Sequence, residues 1–164
     1  MIKLIVLDVD GCLTDGKIIY TSEGQEIKSF NVKDGLAISS WIKTGRYAAI
    51  ITGRNSEIVK KRAKELGITH LYQGVNDKET KLQEIMDSLE LRRYEVAAIG
   101  DDLNDYKMLK KAGRSFTPKD GVKEIRDIAD TVLTCNGGEG AVREMIDILI
   151  DDNDLREEFL SVWI

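Results

Sequence analysis

The sequence is poor in the side chains that build most soft-metal and nucleophilic sites. It has one histidine, His70, and two cysteines, Cys12 and Cys135, among 164 residues. Three such side chains, none in a CxxC pair, cannot assemble a four-ligand Cys/His zinc centre. A Ser-His-Asp triad would rest on His70 alone. That residue sits in Gly67-Ile-Thr-His-Leu-Tyr, which reads as a strand after a helix C-cap, so His70 reads as structural. The cysteines lie far apart and read as free thiols in a reducing compartment. Proline occurs once, at Pro118 in a loop, and no repeat, low-complexity stretch or linker divides the chain. Basic residues are the minority, 24 Lys and Arg against 29 Asp and Glu, which argues against nucleic acid as a partner. No apolar run approaches the roughly 18 residues needed to span a bilayer. The start, MIKLIVLDVDG, does not read as a secretory leader, because Asp8 and Asp10 break its short apolar run. A cytoplasmic location is expected.

What is present is a regular alternation. With 42% hydrophobic and 32% charged residues, the chain suits one globular domain over 1–164. Lys3–Val9, Arg46–Thr52 and Glu95–Gly100 are nearly continuous apolar runs, the mark of strands buried on both faces of a parallel sheet. Shorter strands are expected at Ile68–Gln73, Arg114–Thr117 and Thr131–Leu133. Helices are expected at Asp34–Thr44, Ser56–Leu66, Asp77–Leu89, Asn104–Lys111, Val122–Ile128 and Ala141–Leu149. The pattern is that of a doubly wound, Rossmann-like α/β sheet. One segment departs from it: Gly16–Asn31 has two β-rich arms around Ser22-Glu23-Gly24 and reads as a hairpin. The acidic run Asp151–Glu158 reads as a solvated tail. Its apolar end, Phe159, Leu160, Val162, Trp163 and Ile164, is expected to dock on this domain or on a neighbouring subunit.

In such sheets, ligands bind beyond the carboxyl ends of the strands. Those ends carry Asp8-Val9-Asp10-Gly11, Thr52-Gly53-Arg54, and Gly100-Asp101-Asp102 with Asp105 behind, while Lys78 follows the third strand. A single aspartate there is usually a turn or cap residue. Two acidic clusters on adjacent strands repel unless a cation neutralises them, and oxygen ligands without histidine select a hard ion such as Mg²⁺. Mg²⁺ beside lysine and threonine is the chemistry of phosphoryl groups.

These residues carry a resemblance. DVDGCLTDG resembles the DxDGxxT signature of the haloacid dehalogenase superfamily; Ile50-Ile51-Thr52-Gly53-Arg54 is similar to its second motif, Lys78 to its third and Gly100-Asp101-Asp102-Leu-Asn-Asp105 to its fourth. The resemblance implies a phosphatase in which Asp8 attacks phosphorus and Asp10 is general acid and then general base. It implies Thr52 and Lys78 on the phosphoryl oxygens, and Mg²⁺ held by Asp8, the carbonyl of Asp10 and Asp101. Asp102 and Asp105 are expected to support this arrangement. Lys81 is a weaker candidate for the lysine role, on a solvated face, and Cys12 takes none. The Cys-x5-Arg loop of thiol phosphatases is missing, since seven residues separate Cys135 from Arg143.

Neither the stretch after Thr14 nor that from Thr52 to Lys78 has room for an inserted cap domain. The layout resembles the capless sugar-acid phosphatase branch, also through Phe30–Gly35, Lys61-Arg62-Ala63, Leu66–Gly74 and Gly137–Glu144. That branch implies homotetramers built on the 16–31 hairpin, with a neighbour closing each site. It also implies substrate contacts from Asp10, Asn31, Val32, Lys33, Asp34, Gly35, Arg54, Arg62 and Lys78, Lys33 standing where an arginine is expected. The implied substrate is 3-deoxy-D-manno-octulosonate 8-phosphate, in lipopolysaccharide sugar synthesis. The alternative is a nine-carbon 9-phosphate of the sialic-acid type, disfavoured because Arg54 stands where that group tends to be acidic. A phosphoacceptor receiver domain gathers similar residues, but its acceptor aspartate would follow the third strand, where the sequence reads Tyr72-Gln73-Gly74-Val75.

Overall fold

The computed structural model describes residues 1–164. The strands are β1 (Leu4–Leu7), β2 (Ile19–Tyr20), β3 (Glu26–Ile27), β4 (Tyr47–Ile51), β5 (His70–Tyr72), β6 (Val96–Ile99), β7 (Arg114–Thr117) and β8 (Thr131–Val132). The helices are α1 (Val32–Lys43), α2 (Glu57–Leu66), α3 (Lys78–Ser88), α4 (Tyr106–Lys111), α5 (Lys123–Ile128), α6 (Ala141–Asp152) and α7 (Arg156–Ser161). Six strands form one parallel sheet in the order β5-β4-β1-β6-β7-β8, and β2 and β3 pair separately as an antiparallel hairpin. Counting only the strands of the large sheet, the order is 3-2-1-4-5-6, the dinucleotide-fold order, whereas a receiver domain has 2-1-3-4-5. The receiver alternative is therefore excluded by topology. No helix is long and apolar enough to cross a membrane.

The apolar runs conceal a period of two. Ile5 and Leu7, Ala48 and Ile50, and Ala97 and Ile99 face α1, α2 and α6; Leu4 and Val6, Ala49 and Ile51, and Val96 and Ala98 face the other layer. All four side chains of β1 are fully buried, each worth roughly 1.5–3 kcal/mol on removal from water. The first face holds 27 buried residues and the second 13, and part of that excess comes from the C-terminal segment. Leu155 and Phe159 insert there, and Trp163 donates its indole N–H to Ser40 Oγ at 2.8 Å. Lys43 lies 4.4 Å from the Trp163 ring centre, and Glu158 pairs with both terminal nitrogens of Arg46. Within one chain, Phe159 and Trp163 thus seat on their own domain, while Leu160 and Ile164 stay exposed.

Caps shift the expected element boundaries. Asn31 accepts from the N–H groups of Lys33 and Asp34, so α1 begins at Val32 rather than Asp34. Asp77 caps α3 through Thr80 N–H, which makes Lys78 its first residue. The expected Asn104–Lys111 helix is a 3₁₀ turn, Leu103–Asp105, running into α4.

Candidate active site

β1 lies at the point where the strand order reverses, so the turn that follows it opens into the crevice where α/β sheets bind ligands. Asp8 is still anchored to the sheet by its N–H, which donates to the Ile99 carbonyl. Val9–Leu13 then form one wide turn, closed by Thr14 N–H on the Val9 carbonyl at 3.0 Å. Gly11 has φ +96°, and a Cβ on it would overlap the Asp101 carboxylate. Only glycine lets the turn approach Asp101 this closely.

Asp8, Thr52, Lys78 and Asp105 are all buried. The Lys78 ammonium donates to Asp8 Oδ1 at 2.8 Å and to Asp105 Oδ1 at 2.6 Å. Asp105 Oδ2 accepts from the N–H groups of Asp101 and Asp102, so this aspartate holds both the lysine and the loop after β6. Burial, then the negative charge of Asp105, pushes Asp8 up to about 7. Burial, then Asp8 and Asp105, pushes Asp101 up to about 8. Burial works against the charged form of Lys78, but Asp8 and Asp105 outweigh it and push the lysine up to about 12. Asp8 and Asp105 thus share one ammonium while Asp101 lies beside them without a cation, an imbalance that a divalent cation would correct. Carboxylate oxygens of Asp8 and Asp101 and the Cys12 sulfur lie within 4.8 Å of one another. Burial pushes the Cys12 thiol well above its ordinary value, so it stays neutral and the donors that remain are oxygens. Lys81 turns away and pairs with Glu84.

The cavity above this cluster, about 250 Å³, is lined by Asp8, Asp10, Thr52, Arg54, Asp101 and Asn104 among others, with no hydrophobic side chain. A larger groove of about 490 Å³ touches Lys78 and Asn104 but neither Asp8 nor Asp101. Along the rim runs a second charged network. Asp10 Oδ1 accepts from Lys28 at 2.6 Å, and Glu26 Oε1 lies 3.1 Å from Lys28 and 3.2 Å from Arg54. Arg54 Nε is 4.0 Å from Asp10 Oδ2, and Arg54 also reaches the Tyr20 hydroxyl. Hydrogen bonding from Lys28 holds Glu26 below its ordinary value. Glu26 and Lys28 belong to none of the four motifs; the signal for them in the sequence is their i, i+2 spacing on one arm of the hairpin, which puts both on one face.

The remaining candidates lie elsewhere in the same chain. Val32, Lys33, Gly35 and Arg62 line a separate cavity of about 300 Å³ with Leu36, Ser39 and Leu66. Arg62 stacks near Phe30, its guanidinium 5.6 Å from the ring centre. Asn31 is engaged as the α1 cap. Asp34 is buried; one oxygen accepts from Arg143 N–H, the other has no partner, and burial pushes the group up to about 6. One chain alone therefore does not bring Asn31–Gly35 and Arg62 into the cavity lined by Asp8, Asp10 and Thr52.

Comparison with known proteins agrees with this geometry. The sequence profile of the haloacid dehalogenase-like hydrolases matches residues 70–146. The 3-deoxy-D-manno-octulosonate 8-phosphate phosphatase of Escherichia coli K12 is 42% identical over 149 residues, covering 91% of this chain and 79% of that protein. The enzyme of that name from Yersinia pestis is 40% identical, with 95% and 83% covered. The crystal structure of the Moraxella catarrhalis enzyme, solved with magnesium, phosphate and KDO, superimposes with a TM-score of 0.93 at 43% identity, covering 99% of this chain and 94% of that one. With the sheet order, the turn after β1 and the Asp8–Lys78–Asp105 cluster all in place, the chain belongs to the haloacid dehalogenase-like hydrolases, in the group of the 3-deoxy-D-manno-octulosonate 8-phosphate phosphatases.

Proposed function

We propose that this chain is a Mg²⁺-dependent phosphatase that hydrolyses 3-deoxy-D-manno-octulosonate 8-phosphate through an aspartyl phosphate on Asp8. The observation that carries the reading is a buried Asp8 fixed by Lys78, lining one wholly polar cavity with Asp10 and Thr52. The excess of buried carboxylate and its oxygen donors fit Mg²⁺, which Asp8, Asp101 and the main-chain carbonyl of Asp10 would hold. When bound, it supplies neutralisation of the phosphate charge that would otherwise repel a carboxylate nucleophile.

The chain's own residues do the rest. Asp8 attacks phosphorus, and Asp10 gives its proton to the departing alkoxide oxygen. Asp10 then takes a proton from the water that cleaves the aspartyl phosphate. Lys78 and Thr52 hold phosphoryl oxygens as their charge redistributes. Asp105 keeps Lys78 in place by accepting its second hydrogen bond. Arg54, at the rim, suits the substrate carboxylate.

The domain reading is a single unit over 1–164 with a hairpin flap at 16–31 and a tail from 152. A homotetramer in the cytoplasm completes the picture. The two-residue strands of the hairpin leave unpaired edges, and Ile18, Ile19, Tyr20 and Ile27 are exposed on it, which supports pairing between copies. A neighbour's Asn31–Gly35 and Arg62 would then close the cavity that one chain leaves open. The test is phosphate release with Mg²⁺, with and without chelator, from eight-carbon and nine-carbon 3-deoxy-ulosonate phosphates and from hexose phosphates. A chelator-sensitive eight-carbon preference is expected. A nine-carbon preference would overturn the substrate, and no metal-dependent release would overturn the reading as a whole.

A further inference from the structure

The hairpin has two unlike faces. Ile19 pairs with Ile27 and Tyr20 with Glu26, so the aliphatic pair stands on one side and Tyr20, Glu26 and Lys28 on the other. The second side meets the rim of the cavity. Two lysines of this segment show the contrast: the Lys17 side chain is 75% exposed, that of Lys28 only 2%. A lysine buried to that degree is tolerated only with carboxylate partners. Lys28 has two, Asp10 at 2.6 Å and Glu26 at 3.1 Å.

The two oxygens of Asp10 are treated differently. Oδ1 is anchored by Lys28, whereas Oδ2 has only Arg54 at 4.0 Å. Arg54 is in turn drawn toward Glu26 and Tyr20, and its side chain is 44% exposed. The anchored oxygen fixes the plane of the carboxylate, and the other stays open toward the cavity. We infer that Lys28 is the positioning residue for Asp10, carried to the active site by the hairpin, and that Glu26 keeps Arg54 from taking its place. The assignment rests on Asp10 as the general acid and base. Lys28 thereby gives the hairpin a part in the chemistry as well as in assembly. A carboxyl group that gives its proton to an alkoxide and then, as the carboxylate, takes one from water gains from a fixed orientation, since small misplacements of a reacting group cost large factors in rate.

The experiment uses the full chain with Mg²⁺ and compares Lys28→Met, Asp10→Asn, the double variant and the exposed control Lys17→Met. Folding is checked by circular dichroism and assembly by sedimentation. With 3-deoxy-D-manno-octulosonate 8-phosphate, Lys28→Met is expected to lower kcat by about 10- to 100-fold. KM should stay within about threefold of wild type, since positioning is lost and substrate binding is not. The double variant should lose no more than Asp10→Asn alone, because both remove one function. p-Nitrophenyl phosphate, whose leaving group needs no proton, should still show a first-turnover burst in Lys28→Met. If Lys28→Met does not fold, Lys28→Gln, polar but one bond too short to hold Asp10 Oδ1, carries the same kcat-only expectation.

A rise in KM at unchanged kcat would make Lys28 a substrate contact and overturn the inference, as would independent, multiplicative losses in the double variant. Loss of the tetramer with wild-type kcat would do the same. Wild-type-like kcat in Asp10→Asn would instead overturn the role of Asp10 on which the inference rests.

Discussion

Asp8 and Asp10 stand two residues apart on one turn, in opposite electrostatic settings. Around Asp8, the buried Asp8 and Asp105 and the half-buried Asp101 stand beside one ammonium, and the side chains come from the turns after β1 and β6 and the start of α3. Around Asp10, two carboxylates face two cations, and half of that network comes from the hairpin. The inner group is short of positive charge and rigidly held by the sheet. The outer one is balanced and partly open to solvent. A metal ion and a nucleophile are served by the first condition, proton transfer to and from a bound substrate by the second.

The sharpest way to break the contrast is Asp8→Asn. It is expected to lower kcat by at least about 10⁴-fold, as loss of a covalent nucleophile does. The fold should persist, because Asn is isosteric and relieves the crowding of like charges. Wild-type-like turnover would remove the nucleophile from this position. Asp10→Asn should cost about 10²- to 10⁴-fold, the usual range for a general acid and base. Equal loss with alkyl and p-nitrophenyl phosphates in the first turnover would show that Asp10 is not the acid.

Arg54→Ala tests whether the rim binds rather than reacts. KM for the sugar-acid phosphate should rise about tenfold, equal to roughly 1.4 kcal/mol, with kcat little changed. A fall in kcat alone would move Arg54 into the chemistry.

The smallest effect, and the most diagnostic of the inner charge imbalance, is on stability. Without metal, Asp8 and Asp101 are raised to about 7 and about 8, so the folded chain binds more protons than the unfolded one. Their contribution is full below the unfolded value of about 4 and is lost as the pH rises through 7 and 8. Asp34, raised to about 6, acts with the same sign. Melting temperatures of the metal-free chain should therefore fall between pH 5 and pH 8.5. Added Mg²⁺ should restore more at pH 8 than at pH 5, because the ion binds ionised carboxylates. A Mg²⁺ shift independent of pH would count against the buried carboxylates as its ligands.

Much of this arrangement is legible in the sequence because it lies on main-chain periodicity. The runs at Lys3–Val9, Arg46–Thr52 and Glu95–Gly100 contain β1, β4 and β6, and the strands are followed at once by Asp8, Thr52 and Gly100-Asp101 of the site. A strand buried on both faces needs an uninterrupted apolar run, so its end is marked by the first charged side chain. Lys28 is different. Lysine on a short hairpin is ordinarily solvated, and only the fold of the hairpin onto the turn after β1 buries it. Asp34 is hidden in the same way, since it is α6, distant in sequence, that supplies the Arg143 N–H it accepts. The seat of the tail rests on Ser40 and Lys43, more than a hundred residues away, which no local pattern could reveal.

The glycine turn beside Asp101 has a consequence for how this protein can vary. A Cβ on Gly11 would strike Asp101, and a Cβ on Gly137 would strike the Gly11 carbonyl, so two main-chain segments and a carboxylate are stacked with no room between them. A residue of like shape at Asp8 leaves the main chain where it is. Gly11 and Gly137 cannot be exchanged without displacing main chain. Around this site, the tightest limit on mutational drift is therefore set by backbone contact, and it would persist in a descendant that had given up the reaction altogether.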